Sequence, residues 1–314
     1  MNTFKKISLT ALGSTLIATS AFAGAMSVTG SAGINFFGEE KADTNNGWSM
    51  TDEVTFSGGG EMDNGWNVTV SMQLDSSETA TGNMDNRSVA IDMGDSGTLT
   101  FYGHGGDGAL SAIDDKMPTA YEESWDVVSG ASLAVGGPSS NNMFRYSNST
   151  AVDNVTIVAS YSPSGDTTED EGSTDFGITY TGIENLTVGA ATGEDKGDST
   201  SNAESTNMYV TYVFDSFTIG AQSASLDSEA ANGDRDFTAY GVSYAVSEDL
   251  SLSYGMSTID FENTAKEDQE ATGISFSYTM GSMTLAGAHN TVDNVAGTSA
   301  SDNSGYEVDL SFAF

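Results

Sequence analysis

The 314-residue sequence has no cysteine, three prolines, two histidines and only nine lysines and arginines. Without cysteine there is no disulfide, no thiolate metal site and no cysteine-linked lipid anchor. His104 and His289 are the only histidines. His104 has Asp107 and Ser111 near it, a spacing that matches no established nucleophile pattern, so an enzyme is not expected. Nine basic residues against 45 acidic ones leave a formal charge of −36. A chain this acidic is a poor partner for nucleic acid. Past residue 23, no apolar run approaches the roughly 20 residues that a membrane-spanning helix needs.

What the chain has is glycine, 36 of them, with abundant Asn, Asp, Ser and Thr. That composition predicts many strands and turns rather than helices. At the amino end, Lys5 and Lys6 precede a mildly apolar stretch, and Ala21-Phe22-Ala23 fits the small-x-small cleavage rule. Residues 1–23 read as an export leader, with Gly24 as the mature start. The chain is therefore expected to be exported and to cross no membrane as a helix.

The last nine residues carry the most information. Tyr306, Val308, Leu310, Phe312 and Phe314 fall on one face of a strand, and Glu307, Asp309, Ser311 and Ala313 on the other. A soluble edge strand with such an oily face invites aggregation. A strand with lipid outside and water inside requires it. The same period of two recurs upstream. Trp66, Val68, Val70, Met72 and Leu74 alternate with polar residues, as do Val89 and Ile91, Phe176 to Tyr180, Tyr240 to Val246, and Ile274 to Met280. The second face is mostly Gly, Ala, Ser and Thr, which suits either a water-filled lining or tight packing.

The connections alternate in length. Short turns are expected near residues 63–65, 94–97, 151–154, 182–185, 215–216, 247–249 and 281–282. Longer polar loops are expected at 39–47, 75–86, 104–141, 163–173, 194–205, 227–235, 260–269 and 292–304. Seven short and eight long connections make sixteen strands, with both termini on the short-turn side. Short turns at one end and long loops at the other belong to closed membrane barrels. Residues 24–314 accommodate one such barrel and no second domain. The loop at 104–141 is the outlier. It carries Leu110, Ile113, Met117, Tyr121, Trp125, Val127, Val128, Leu133 and Val135, which need something to pack against, either the barrel wall or a neighbouring subunit.

The terminal strand, with Phe312 and the final Phe314 and with Tyr306 near its start, resembles the assembly signal of Gram-negative outer-membrane barrels. The mature chain as a whole resembles the sixteen-stranded general porins of the alphaproteobacterial kind. In these, the third loop lies between the fifth and sixth strands and folds into the lumen as a constriction. The resemblance implies an all-β transmembrane antiparallel barrel in the outer membrane of a Gram-negative bacterium, acting as a passive diffusion channel and usually trimeric. It implies outer-membrane lipid, lipopolysaccharide and the barrel assembly machinery as partners, small hydrophilic solutes as cargo, and no cofactor. A non-conducting surface or adhesion barrel, or an exported acidic β-protein, is the alternative.

Within that frame, Asp107, Asp114, Asp115, Glu122, Glu123 and Asp126 are candidates for an acidic constriction, because carboxylate rings recur as cation filters. Strand phase puts Glu53, Glu61, Asp92, Asp175, Glu307 and Asp309 on the lumen wall. Familiar porins set a cluster of Arg and Lys against an acidic third loop. Here Arg145 is the one clear candidate, since Arg87 shares the outward phase of Val89 and Lys41, Lys116, Lys196, Arg235 and Lys266 fall in expected loops. Acidic runs such as Glu169-Asp170-Glu171 and Glu267-Asp268 offer at most non-specific Ca²⁺ or Mg²⁺ binding. The expected channel prefers cations.

Overall fold

A computed structural model describes residues 26–41, 47–75, 84–131, 141–163, 172–196 and 202–314. The expected leader, Leu133, Val135 and Glu169-Asp170-Glu171 lie outside them. Sixteen strands form one sheet. The first eight are β1 (Met26–Glu39), β2 (Gly47–Glu61), β3 (Asn67–Asp75), β4 (Met84–Asp92), β5 (Thr98–His104), β6 (Met143–Val152), β7 (Val155–Ser162) and β8 (Ser173–Ile183). The second eight are β9 (Leu186–Asp195), β10 (Ala203–Phe214), β11 (Phe217–Ser228), β12 (Arg235–Ala245), β13 (Leu250–Phe261), β14 (Gln269–Met280), β15 (Met283–Asp293) and β16 (Asn303–Ala313).

Every strand pairs antiparallel with its neighbours in sequence, and β16 returns to pair with β1, so the sheet closes. Closure is what lipid demands. A hydrocarbon layer offers no partner to an unpaired N–H or C=O, and a closed ladder leaves no edge. The expected sixteen strands and the alternation of turns and loops are both present. The turn at 151–154, where the sequence pattern was weakest, is a two-residue connection through Asp153 and Asn154. Asn154, Asn185, Asp215 and Gly281 take left-handed φ at four of the tight turns, a conformation these residue types tolerate.

The oily row of each strand points outward. Tyr240, Ile274, Phe312 and Phe314 are all well exposed on the barrel's outer surface, where acyl chains replace water. The complementary row points to the lumen. Glu307 and Asp309 on β16 pair with Phe37 and Asn35 on β1 in that inward phase. The buried core is not inside a sandwich but inside the barrel, between its inner wall and the long loop after β5.

Phe314 completes the seam. Its N–H donates to the Gly30 carbonyl at 2.9 Å, and its carbonyl accepts from the Gly30 N–H at 3.0 Å. Its ring lies where a β-carbon on Gly30 would stand. Deleting Phe314 removes two closing hydrogen bonds and the ring that covers β1. The expected outcome is less folded, heat-modifiable protein in outer-membrane fractions. Wild-type yield of the truncated chain would refute an assembly role for this residue.

Candidate pore constriction

The loop after β5, described over residues 105–131 and 141–142, does not stand clear of the barrel. Its helix α1 (Ala109–Ile113) and the chain that follows as far as Ala131 lie in the lumen. Leu110, Ile113, Met117, Trp125 and Val128 are buried against Ala191, Tyr209, Ala224, Phe237, Ile259 and Ala271 from strands β9 to β14. Trp125 meets Phe237 edge-on, with ring centroids 5.1 Å apart. Of the two surfaces expected to receive the loop's apolar residues, the barrel's own wall is the one used.

The wall is built for this contact. A β-carbon on Gly220 or Gly241 would strike Pro118, and one on Gly305 would lie 1.9 Å from the Val127 carbonyl oxygen. Small residues on these strands are therefore a docking track for backbone rather than an open lining. Polar wall residues hold the loop's main chain. Asp175 accepts from the Leu110 N–H at 2.9 Å, in the first turn of α1. Ser253 and Ser275 accept from the Ala120 and Tyr121 N–H groups, each at 3.0 Å. Asn290 donates to the Glu123 carbonyl at 2.7 Å, Gln269 donates to the Ala131 carbonyl at 3.0 Å, and Glu39 accepts from the Ser129 N–H. In a barrel interior these side chains satisfy backbone groups that no ladder reaches.

The candidate acids divide under this geometry. Asp114 faces the wall and accepts from Gln222 at 2.9 Å and Asn207 at 3.1 Å. Burial and the Asp115 carboxylate hold its carboxyl above the usual range, with the two amides opposing them. Glu122, Glu123 and Asp126 form a cluster with Asp115. Asp126 accepts from the Glu123 N–H at 2.8 Å. Burial, then the charges of Asp126 and Glu307, push Glu122 up to about 7. Burial, then Asp115 and Asp126, push Glu123 up to about 9. Glu307 of β16 joins from the wall: it accepts from the Tyr121 hydroxyl at 3.2 Å and from the Asn35 amide. Glu122 also feels Glu307 directly. Asp107 precedes α1, is exposed, and lies outside the hydrogen bonds of the cluster among the described residues.

Glu53, Glu61 and Asp92 lie on the inward phase of β2 and β4, and Asp309 beside Glu307 on β16. Asp175 shares that phase but is buried beneath the loop at 5% exposure, so it anchors α1 rather than facing open water. Arg145 projects inward from β6 between Thr100 and Ser160, and it makes no ion pair among the described residues. Arg235, expected in a loop, instead opens β12 in the inward phase of Phe237, at the loop-side mouth. Arg87 lies outward, as its phase required, with a guanidinium N–H reaching the Gly103 carbonyl at 3.5 Å. Among the described residues, no group of three or more His, Cys, Asp or Glu side chains could hold a metal ion.

A sixteen-stranded closed barrel narrowed by an inward loop after β5 also matches known proteins. The profile of the Gram-negative porin family matches residues 8–296. The chain belongs to that family. Among solved structures, the porin superposes on a triple mutant of the Rhodopseudomonas blastica porin with a TM-score of 0.70 and 15% identity, covering 92% of this chain and all of that one. It superposes on the anion-selective porin of Comamonas acidovorans at 0.69 and 12% identity, covering 93% and all of that chain. No curated protein matches the sequence. The porin is thus an outer-membrane channel of a Gram-negative bacterium, a family of diffusion pores rather than enzymes.

Sequence phase alone missed the residues that hold the loop. Asn207, Gln222, Gln269 and Asn290 are amides in inward rows made mostly of small or apolar residues. That contrast was a signal, but only the folded loop shows what each amide binds.

Proposed function

We propose that this porin is a cation-preferring channel for ions and small hydrophilic solutes, working as a homotrimer as its family resemblance implies. The observation that carries the preference is the meeting of Asp115, Glu122, Glu123 and Asp126 with Glu307, with no Lys or Arg among the described residues in their hydrogen-bond network. Carboxylates lining a narrow, low-dielectric passage focus a negative potential that concentrates cations. Glu53, Glu61, Asp92 and Asp309 extend the field along the wall. Arg145 and Arg235 are the two cations on inward strand positions among the described residues, too few to set up the strong transverse field of familiar porins. The anion-selective Comamonas relative shares the fold at 12% identity. Selectivity therefore rests on the charges inside each barrel and not on the barrel itself.

The test is the reversal potential across a KCl gradient in a planar bilayer. Wild type should favour K⁺. Changing Asp115, Glu122 and Asp126 to their amides should weaken that preference more than neutralising Glu169, Asp170 and Glu171. Asp114 is spared because its carboxylate holds the loop to Asn207 and Gln222. Chloride preference in the wild type would overturn the reading, and equal shifts from the two sets would remove the inward loop from it.

A further inference from the structure

Three buried polar atoms on one rung of the lumen wall make no hydrogen bond among the described residues: Arg145 Nε, Ser160 Oγ and Asp175 Oδ1. Arg145 on β6 pairs with Ser160 on β7, and Ser160 pairs with Asp175 on β8, all in the inward phase. Ser160, like Asp175, is 5% exposed. The inward positions on one side of this rung are Met143, Ser162 and Ser173, and on the other Ser147, Val158 and Gly177. None of the six is charged. One guanidinium and one carboxylate therefore face each other across a single hydroxyl in an otherwise neutral patch.

Buried polar groups without partners are rare, because each has given up water and gained nothing in return. The chemistry of these three is complementary. A guanidinium N–H can only donate, a carboxylate can only accept, and a hydroxyl does both and rotates to suit. Side chains directly opposite on neighbouring antiparallel strands have β-carbons about 4.5–5.5 Å apart. Arg145 and Asp175 stand two strand spacings apart, roughly 10 Å, with Ser160 between them.

The second oxygen of Asp175 is already engaged by the loop. Asp175 Oδ2 accepts from the Leu110 N–H at the start of α1, one of the N–H groups that a helix leaves without an internal partner. A β-carbon on Gly108 would lie 2.4 Å from that same oxygen, so the chain entering α1 runs close against the carboxylate. One oxygen of Asp175 thus faces the loop, and the other is left for the wall.

We propose that Arg145 is a positioning residue for the inward loop, acting through Ser160 on the carboxylate that holds α1. The Arg145 Nε–H donates to the Ser160 hydroxyl, and that hydroxyl donates to Asp175 Oδ1. Hydrogen bonds to ionised groups are the strong ones, and a chain of them polarises each member. The relay fixes the plane of the carboxylate and keeps Oδ2 aimed at the Leu110 N–H. The positive charge of Arg145 is then opposed by Asp175 beneath the loop and adds little to the field of the open passage. This deepens the proposed function and rests on the inward loop being the constriction, but not on which ion the pore prefers.

The sequence has no cysteine, so a single Leu110→Cys substitution reports on α1. Leu110 is buried against the wall, and its replacement is smaller than the native side chain. The measurement is the rate at which a charged, water-soluble methanethiosulfonate labels this cysteine in folded barrels. Arg145→Met and Ser160→Ala should each speed labelling about tenfold, the size expected for losing a hydrogen bond to a charged group. Arg145→Lys, which keeps the charge and a donor, should stay near the parent rate. Beside Asp175→Ala, labelling is already fast and Arg145→Met should add nothing, because the two act as one unit. A Val128→Cys probe at the far end of the described loop should label at one slow rate in all of these chains. The parent rate in either Arg145→Met or Ser160→Ala would overturn the proposal. So would Arg145→Lys labelling as fast as Arg145→Met, an Arg145→Met effect undiminished beside Asp175→Ala, or an equal rise at Val128→Cys. If Arg145→Met yields no heat-modifiable barrel, Ser160→Ala decides, since it keeps both charges and removes only the link. The rate reads docking of α1 rather than ion preference, so chloride preference in the wild type would leave this result standing.

Discussion

Gly305→Val should give a barrel that assembles normally and passes more current per pore than the wild type. Gly305 lies on the inward phase of β16, where a β-carbon would stand 1.9 Å from the Val127 carbonyl oxygen. That neighbour is backbone, so no rotamer change relieves the clash, and the loop must leave the wall. The strand itself loses nothing, because valine is the better strand former. Trp125→Ala should act in the same direction from the loop side. It removes the ring packed edge-on against Phe237 and leaves a cavity, a change worth about 3–5 kcal/mol in well-packed cores. Here that loss falls on loop docking, because Trp125 belongs to the loop and makes no ladder contact. Single-channel conductance should rise in both variants, with heat-modifiable folding retained. Unchanged conductance in both would mean that the loop does not set the narrowest section of the pore.

The barrel was legible in the sequence because lipid imposes a period of two that nothing else in the chain obscures. Phe312 and Phe314 face outward, Glu307 and Asp309 inward, and one residue of slippage would reverse all four. The loop after β5 was legible as an anomaly of length and oiliness. Its seat was not, because Trp125 and Phe237 are more than a hundred residues apart and no local pattern pairs them. The same gap explains Asp175. Phase correctly puts it on the lumen wall, but only the folded loop shows α1 standing on its carboxylate. The small inward residues were ambiguous for a related reason. Glycine opposite water and glycine opposite a backbone carbonyl look alike in sequence, and Gly305 is the second kind. Arg235 reads as a loop residue in the sequence because strand ends near long loops carry no periodic mark, yet it opens β12.

Cation preference should strengthen as pH rises, over a range where isolated carboxylates no longer titrate. Burial and mutual repulsion favour the neutral forms in the cluster, so raised values are the expected sign for crowded acids without a cation. Glu122 is pushed up from 4.5 to about 7 and Glu123 from 4.5 to about 9. Near pH 5.5 both are mostly protonated and the constriction lacks the charge of these two. Between pH 6 and 8 Glu122 ionises, and Glu123 follows at higher pH. The reversal potential across a KCl gradient should therefore move toward ideal K⁺ selectivity from pH 5.5 to pH 8.5. Glu122→Gln should remove most of the change in the lower half of that range. The linkage runs the opposite way for stability. A carboxyl whose value is raised by folding stabilises the folded loop below its unfolded value, and that contribution is lost as pH climbs toward the folded one. Docking of the loop should thus weaken above pH 4.5 and be weakest near pH 9, where charge is greatest. Alkaline channels should show more current fluctuation as well as sharper selectivity, whereas loop carboxylates with ordinary values would give a flat profile across this range.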